Sequence, residues 1–544
     1  MPYSKTPVVQ TYETKRINFI SNPLQRSSDP NKDFRLLNMM TERVPSPSGD
    51  RYYVKSRPGL STTFTTTAGE GRGLYYWLVS GTGYAMSVVG DKVYANGSAV
   101  LTLTTSTGPV GFTEFVYSDS SDRLILVDGT KGYVFTDPST PIEISVANLT
   151  AWHTATVYAV GDIRRPTTSN GFQYRVTKNG TSNSTEPTWP TTVNATVTDG
   201  TVTWMCEQSA FPSPHVPTPV FMDGYLFLAK AGTQDVYNSD LDTPLQWSAG
   251  SFLTAEMYPD RIVALAKNNN YIYAIGTNSI EYLYDAGNNF STIGTPLARQ
   301  ASAVQQFGCA AIGTVVQTEK QVLLVGKTGN GGYTVWQVDG FDAKEIGIPS
   351  VKFALLGEGL NLPNITAFCV RVSSQKLYVL CLSQRTLVYS FDTQMWSEWS
   401  TSDGTFIAEN GSDGPGGEAY LQDKTNGKIY IMDETYFTDA GAEIDCVLTT
   451  ARLDFDTINR KFMHRLTIIG DVPDITLAQD TVYISWSDDD YNTWSTERDL
   501  LFTADLPAIH QLGQFRRRAL KLRYSSPHLL RIEALEVDIN KGNV

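Results

Sequence analysis

Few residues of this chain have the types and spacing that catalysis or tight ligand binding require. The triplet Gly326-Lys327-Thr328 matches the end of a phosphate-binding loop, but position 321 is Gln where that motif needs Gly. Such a loop must also lead into a helix N-terminus, whereas this sequence continues through Gly329-Asn-Gly-Gly332 into another apolar segment. The triplet therefore predicts a hairpin turn and no nucleotide site.

Histidines and cysteines, the usual metal ligands and nucleophiles, are few and scattered. The five histidines and five cysteines show no CxxC, HxH or HExxH spacing, so no zinc site or triad base is locally encoded. A glycosidase needs two carboxylates across a groove, and with 56 acidic residues spacing alone selects no pair. We expect no enzyme activity, no cofactor and no bound metal.

One acidic turn has the spacing of a structural motif. Ser487, Asp489, Thr493 and Trp494 stand at the intervals of the Asp-box of sialidase-type propellers, although Tyr491 replaces the usual Gly. In such a turn the carboxylate accepts backbone amides and the indole packs against the hairpin. A calcium loop would need further spaced ligands and a terminal Glu. We therefore expect a structural role for this turn.

The densest basic cluster is Arg516-Arg517-Arg518, continued by Lys521 and Arg523. Alternate residues of a strand share one face, so Arg517, Lys521 and Arg523 are predicted to form a positive ladder. Such a ladder suits an acidic neighbouring subunit or a DNA backbone. We favour the subunit contact because the rest of the chain is acidic.

The overall charge argues against a firm grip on nucleic acid. The 43 basic and 56 acidic residues give a net charge of −13, and neither sign forms a long run. Sequence-independent binding of DNA requires a cationic stripe. The first residues lack a secretory pattern, and no apolar run of about 18 residues is present, so we expect folding in the cytoplasm with reduced cysteines.

A paired-strand cassette recurs along the chain: an apolar strand, a turn of Gly, Asn or Asp, and an aromatic strand. Residues 261–284 show it, with the turn Asn268-Asn269-Asn270 in the middle. β-Branched and aromatic residues suit a pleated surface, and Asn and Gly tolerate the left-handed turn geometry. Related cassettes occur at 73–94, 112–135, 220–237, 321–338, 376–399 and 419–432. These repeats predict an all-β fold with a β-propeller-like core.

The cassettes also divide the chain. Prolines break up the beginning, and a Pro-rich hinge at 212–219 ends a stretch of different texture. The predicted parts are an extended N-terminal segment at 1–60 packing on the platform or on neighbouring subunits, first propeller blades at 61–148, an inserted small aromatic-rich β-domain at 149–209, remaining blades at 210–440, and a C-terminal β-sandwich or platform region at 441–544.

The predicted insert carries Trp152, Trp189 and Trp204. It resembles the short aromatic-rich modules, similar to small carbohydrate-binding domains, that decorate phage tail proteins. Its indoles suit stacking on sugar rings, which makes them candidate glycan contacts. In so small a domain an aromatic ring serves more often as core, and we favour that role.

Four segments together resemble the packaged-DNA stabilisation or tail-hub (nozzle) proteins of short-tailed phages. They are Leu36–Met40, Lys55–Leu60, Thr277–Tyr282 and Phe515–Arg523, and they stand in the family's order. The resemblance implies a non-enzymatic virion component of podovirus-like particles, assembled in the host cytoplasm. It implies six copies in a ring below the portal and its adaptor (the head-to-tail connector). That ring would close the DNA exit after packaging and conduct double-stranded DNA during ejection.

The implied partners are the portal adaptor, a tail fibre or tailspike, a tail needle or plug, and DNA that passes without sequence-specific binding. An acidic wall repels phosphate, so DNA would slide through it. Two alternatives stay open. One is a tail-associated glycan-binding or glycan-degrading propeller, suggested by the acidic turn and the insert. The other is a bacterial propeller that serves as an interaction scaffold.

Overall fold

Seven blades of four antiparallel strands, six of them separate sheets and one part of a nine-stranded sheet, occur in the described part of the chain and confirm the predicted propeller-like core. The computed structural model describes residues 12–19, 33–45, 47, 49–118, 121–287, 294–329, 331–372, 374–401, 404–471, 480–502 and 506–542. We call the sheets blades 1 to 7. The strands of blades 1 to 4 are Gly71–Val79, Thr82–Val89, Lys92–Ala95 and Ser98–Thr102; Gly111–Val116, Asp122–Val127, Gly132–Phe135 and Pro141–Glu143; Val220–Met222, Tyr225–Ala229, Asp235–Asn238 and Phe252–Thr254; Ile262–Asn268, Tyr271–Gly276, Ile280–Asp285 and Leu297–Gln305.

Blades 5 to 7 complete the ring. Their strands are Val316–Gln317, Val322–Lys327, Tyr333–Asp339 and Asp342–Glu345; Thr366–Val372, Gln375–Cys381, Thr386–Ser390 and Trp396–Trp399; Ala408–Asp413, Ala419–Asp423, Lys428–Asp433 and Gly59–Thr65. In each blade the first three strands form a meander, joined by turns of two to five residues in which Gly, Asn and Asp are frequent. In blade 4, for example, Asn269 takes the left-handed conformation with φ of +52°.

Neighbouring blades share apolar cores. Trp77 and Met86 of blade 1 pack in one cluster with Leu124 and Leu126 of blade 2, and similar clusters join each later pair. A small cluster around Leu74 of blade 1 and Ile429 of blade 7 closes the circle. Alternate residues of the blade strands are apolar, and their burial between neighbouring sheets holds the blades together.

The ring is closed by a strand from the beginning of the chain. Gly59–Thr65 pairs antiparallel with Lys428–Asp433, with Leu60 opposite Met432. Residues 61–65 were expected in the first blades, but they form the outer strand of the last blade. Gly59 is required there, since a Cβ at this position would lie 2.3 Å from the backbone oxygen of Thr438.

The insert between blades 2 and 3 is a small separate β-unit. Its strands are Val157–Tyr158, Ile163–Arg164, Gln173–Lys178, Gly180–Thr181, Thr196–Asp199 and Val202–Glu207. Four of them form one sheet and the other two a short hairpin-like pair.

The C-terminal region is a two-sheet sandwich, as expected, but the first 60 residues contribute to both of its sheets. The first sheet contains Glu13–Asn18, Met39–Val44, Arg51–Ser56, Lys461–Asp471, Ala508–Phe515 and Arg531–Lys541. The second contains Arg35–Leu37, Cys446–Thr449, Thr481–Ser487, Arg498–Leu501 and Ala519–Tyr524. One apolar core, with Leu36, Leu466 and Leu522 among its members, lies between the two sheets.

The second sheet of the sandwich is continuous with blade 6. Arg35–Leu37 pairs parallel with the outer strand of blade 6 on one side and antiparallel with Cys446–Thr449 on the other. One short N-terminal strand therefore joins the propeller to the sandwich.

Helices are minor elements. The helix α1, Pro349–Glu358, lies between blades 5 and 6, and the described residues contain 3-10 turns at Val146–Asn148, Ile312–Thr314, Gly359–Asn364 and Pro415–Gly417. Within the described ranges, none of these helices has the length and apolar character needed to cross a bilayer.

Candidate functional site

The phosphate-loop-like triplet lies on a hairpin. Lys327 is the last residue of Val322–Lys327 and pairs with Tyr333 of the next strand. Its ammonium donates to the side-chain oxygen of Asn278 at 3.2 Å. Among the residues that the structure describes, no group of three or more His, Cys, Asp and Glu side chains is arranged to hold a metal ion.

A cavity of about 580 Å³ lies where several blades meet. It is lined by the first strands of the blades, including Gly71, Gly111 and Thr366. Arg72 borders it, but its guanidinium donates to the carbonyl oxygens of Gly108 and Thr105 at 2.7 and 2.8 Å. The guanidinium of Arg72 is thus committed to holding these loops together, and the carboxylates of Glu70 and Glu409 also line the cavity.

Of the basic cluster, Arg518 is buried inside the protein. Its guanidinium donates to both carboxylate oxygens of Asp488 at 2.8 and 2.7 Å, and to the carbonyl of Leu512 at 2.7 Å. Only 1% of Arg518 is exposed. The expectation that Arg518 contacts a subunit or DNA is therefore wrong, because an aspartate 30 positions away in sequence already satisfies it.

Lys521 and Arg523 lie on the outer face of the sandwich, as strand alternation predicts. The Lys521 ammonium sits 3.9 Å from the ring centre of Trp494, and desolvation lowers its pKa. Arg523 forms a bidentate pair with Glu497 at 3.1 and 2.7 Å, and this hydrogen bonding raises its pKa. Both cations are half-buried and already contact side chains of the loop that joins Thr481–Ser487 to Arg498–Leu501.

Arg516 and Arg517 are separated from that face. The strand begins at Ala519, so both residues lie in the turn before it and are exposed. A continuous ladder of Arg517, Lys521 and Arg523 does not form, because the alternation of a strand does not extend into a turn. The cluster therefore divides into a sheet face and an exposed turn.

The acidic turn at 487–494 is organised by one carboxylate. Asp489 accepts hydrogen bonds from the Ser487 hydroxyl at 2.9 Å, from the Thr493 amide at 2.9 Å and from the Thr493 hydroxyl at 2.6 Å. The Thr493 and Ser487 bonds lower the pKa of Asp489 to about 2. Tyr491, at the usual Gly position, has φ of +66°, and its buried hydroxyl donates to the carbonyl of Thr450 at 3.0 Å.

The three tryptophans of the insert pack together. Trp204 is fully buried and Trp152 is 6% exposed, and both indole N–H groups donate to the same oxygen of Asp199, at 3.2 and 2.8 Å. Trp189 is half-buried; its ring centre lies 5.6 Å from that of Trp204, and its N–H donates to Glu186 at 2.8 Å. Trp152 and Trp204 therefore form core, which is the role favoured from the sequence, and their covered ring faces and polar edges are not available to a glycan.

A polar contact fixes the insert to blade 3. Arg175 pairs with the buried Glu207 at 2.9 Å and also donates to the Ser248 hydroxyl of the propeller. Gln173 donates to the carbonyl of Trp247 at 3.0 Å. These groups are largely buried, so the insert is held in one orientation and does not hang from a flexible linker.

Two of the four family-like segments meet at the junction of propeller and sandwich, which sequence reasoning did not foresee. Arg57 is 1% exposed and forms a bidentate pair with Asp439 at 2.9 and 2.6 Å. It also donates to the side-chain oxygen of Asn38 at 3.0 Å and to the carbonyl of Ser400 at 3.2 Å. Asn38 has φ of +54°, and its amide group donates to the carbonyl of Asp445 at 2.9 Å. This Arg57 junction joins blade 6, the segment after blade 7 and the sandwich.

A third family-like segment, Thr277–Tyr282, begins with a turn whose polar groups bind the loop that contains Asp260. Asp260 accepts hydrogen bonds from the Thr277 hydroxyl at 2.5 Å and from the amides of Asn278 and Ser279 at 2.6 and 3.0 Å. Hydrogen bonding from these groups keeps the pKa of Asp260 below its ordinary value although burial raises it. The chemistry of this segment is therefore structural.

The fold is a β-propeller joined to a β-sandwich. The polar side chains of the family-like segments form hydrogen bonds that hold these parts of the molecule together. The sequence matches the family described as phage stabilisation, Bacteriophage P22 Gp10, beta-propeller, over residues 26–437. The chain belongs to this family and is a phage structural protein. The match spans all seven blades and stops before most of the sandwich.

Other comparisons add little. No curated protein matches the sequence. Among solved structures, the chain is similar to the Myceliophteria thermophila Cps50 (Swd1) beta-propeller domain, with 8% identity, a TM-score of 0.28 and coverage of 68% of this chain and 98% of that one. A luciferin-regenerating enzyme matches with 8% identity, a TM-score of 0.25 and coverage of 43% and 83%.

Proposed function

We propose that this protein is a wall segment of a short phage tail: six copies form a hub or nozzle ring below the portal and its adaptor. The ring retains packaged DNA and conducts it during ejection. The observation that carries this proposal is the family match over the whole propeller. The further partners are a tail fibre or tailspike and a needle or plug that closes the bore.

The mechanism is mechanical and electrostatic. The chain carries a net charge of −13, and within a Debye length of about 10 Å an acidic wall repels DNA phosphates. A basic wall would bind DNA through many counterion-releasing contacts. An acidic bore therefore lets DNA move, and gating falls to loops or to the plug.

Internal joints support such a role. We infer that a wall segment of such a ring needs its parts held in a fixed relation. The buried Arg57 junction links propeller and sandwich, and the Arg175 contact fixes the insert to blade 3. The glycan alternative has lost its main support, because Trp152 and Trp204 are buried.

The proposal is tested by deleting the gene from its phage and supplying it in trans. We expect deletion particles to package DNA, to lose it from the head and to be non-infectious, with full rescue by the wild-type gene. DNA content is measured by nuclease protection in purified particles. Deletion particles that keep their DNA and infect normally would refute the proposed role.

A further inference from the structure

One end of the sandwich gathers cations without acidic partners. Arg460 is exposed in the loop before Lys461–Asp471, Lys461 begins that strand with its side chain buried, and Arg516 and Arg517 form the exposed turn after Ala508–Phe515. The two elements are adjacent, since Lys461 pairs with Phe515 across the sheet and Arg516 donates to the carbonyl of Ile458 at 2.9 Å. We call the three exposed arginines, Arg460, Arg516 and Arg517, the basic end.

The positive charge of the basic end is not neutralised within the chain. Arg460 donates to the side-chain oxygen of Gln514 at 3.4 Å, and Lys461 donates to the carbonyls of Thr457 and Asn459 at 2.6 and 2.8 Å. In the described ranges, neither the three arginines nor the buried Lys461 forms a salt bridge with a carboxylate. Burial lowers the pKa of Lys461, and Arg516 adds to this lowering. Asp454, in the same loop, acts in the opposite direction.

Apolar side chains are exposed beside these cations. Ile458 is 72% exposed and Phe462 is 43% exposed. Arginine next to exposed apolar groups is the composition found at the centre of protein interfaces. DNA phosphates would satisfy the cations but would leave Ile458 and Phe462 in water, so this surface suits a protein better than a nucleic acid.

We propose that the basic end is a subunit contact that receives an acidic surface of a second copy of this chain. Charge complementarity carries the choice of occupant, because the chain as a whole has a net charge of −13 and each copy therefore offers acidic surface outside this end. The contact is heterologous, with different surfaces on the two copies, and such contacts build rings. The inference rests on the proposed ring.

The direct test is the structure of the tail in intact virions. We expect Arg516 and Arg517 to lie within about 4 Å of carboxylates of a neighbouring copy, with Ile458 covered, as charge-assisted hydrogen bonds require. A ring in which these arginines face DNA, another protein or solvent overturns the assigned surface and leaves the ring intact. A tail without any ring of this protein overturns the proposed function itself.

A variant test measures the strength of the contact. Phage carrying Arg516→Glu with Arg517→Glu should form tails about tenfold or more less efficiently, because like charges then face each other across the interface. Lys178→Glu in the insert is the matched control, since Lys178 is also exposed, and it should assemble normally. Ile458→Ser tests the apolar part and should weaken assembly less. Thermal unfolding of each purified variant checks the fold, and normal assembly of the double variant would refute the proposal.

Discussion

Replacing Arg57 with Met should loosen the sandwich from the propeller. The side chain is buried and holds Asp439 through two hydrogen bonds, so Arg57→Met leaves a largely buried carboxylate without a counter-ion. Breaking a buried pair from one side costs about 3–5 kcal/mol. The lost bonds to Asn38 and Ser400 put the expected cost at the upper end of that range.

The assay is denaturant unfolding followed by tryptophan fluorescence, with the free energy of the first transition taken by linear extrapolation. Arg43→Met is the control, because Arg43 and Asp50 form an ion pair at 3.4 Å with about half of each side chain exposed. An exposed pair contributes at most about 1 kcal/mol. The double variant Arg57→Met with Asp439→Leu should recover about 2 kcal/mol or more, because no lone charge remains. A cost below about 1 kcal/mol for Arg57→Met would refute the reasoning.

Three further outcomes follow from the described contacts. The pKa of Asp489 is lowered to about 2. Its carboxylate therefore stabilises the acidic turn above about pH 4, and this stabilisation is lost as the pH falls through the lowered pKa. In acid titrations followed by circular dichroism, Asp489→Asn should make the stability of the sandwich less dependent on pH over this window. Gly59→Ala should destabilise the propeller by about 1–3 kcal/mol, whereas Gly357→Ala, with open space around it, should not, as urea unfolding will report. Trp204→Ala should lower the free energy of unfolding by about 3–5 kcal/mol, as measured by differential scanning calorimetry. On glycan arrays, the wild-type protein should show no binding.

The blades were predictable because their signals are local. Strand, turn and strand lie within about 25 residues of each other, and the alternation at 261–284 directly specifies which side chains are buried. Closure of the ring was not predictable, because Gly59–Thr65 pairs with a strand more than 360 residues away. The sequence of a short strand does not specify which distant strand it pairs with. The same is true of the N-terminal strands in the sandwich.

The candidate site shows the same division. Alternation correctly placed Lys521 and Arg523 on one face, but the strand begins at Ala519, and element ends are the least certain part of a sequence prediction. The burial of Arg518 depends on Asp488, which reaches it only through the folded sheet. The favoured core role of the insert tryptophans agrees with the structure, while their shared acceptor, Asp199, carried no sequence signal.

In the proposed function, this protein is a structural wall around a DNA conduit. Cryo-electron microscopy of intact virions before and after ejection is the decisive measurement. We expect a closed ring of six copies on the tail axis, with acidic side chains facing the bore and DNA held above it before ejection. A monomer away from the axis, or a bore lined continuously by lysine and arginine, would refute the proposed function.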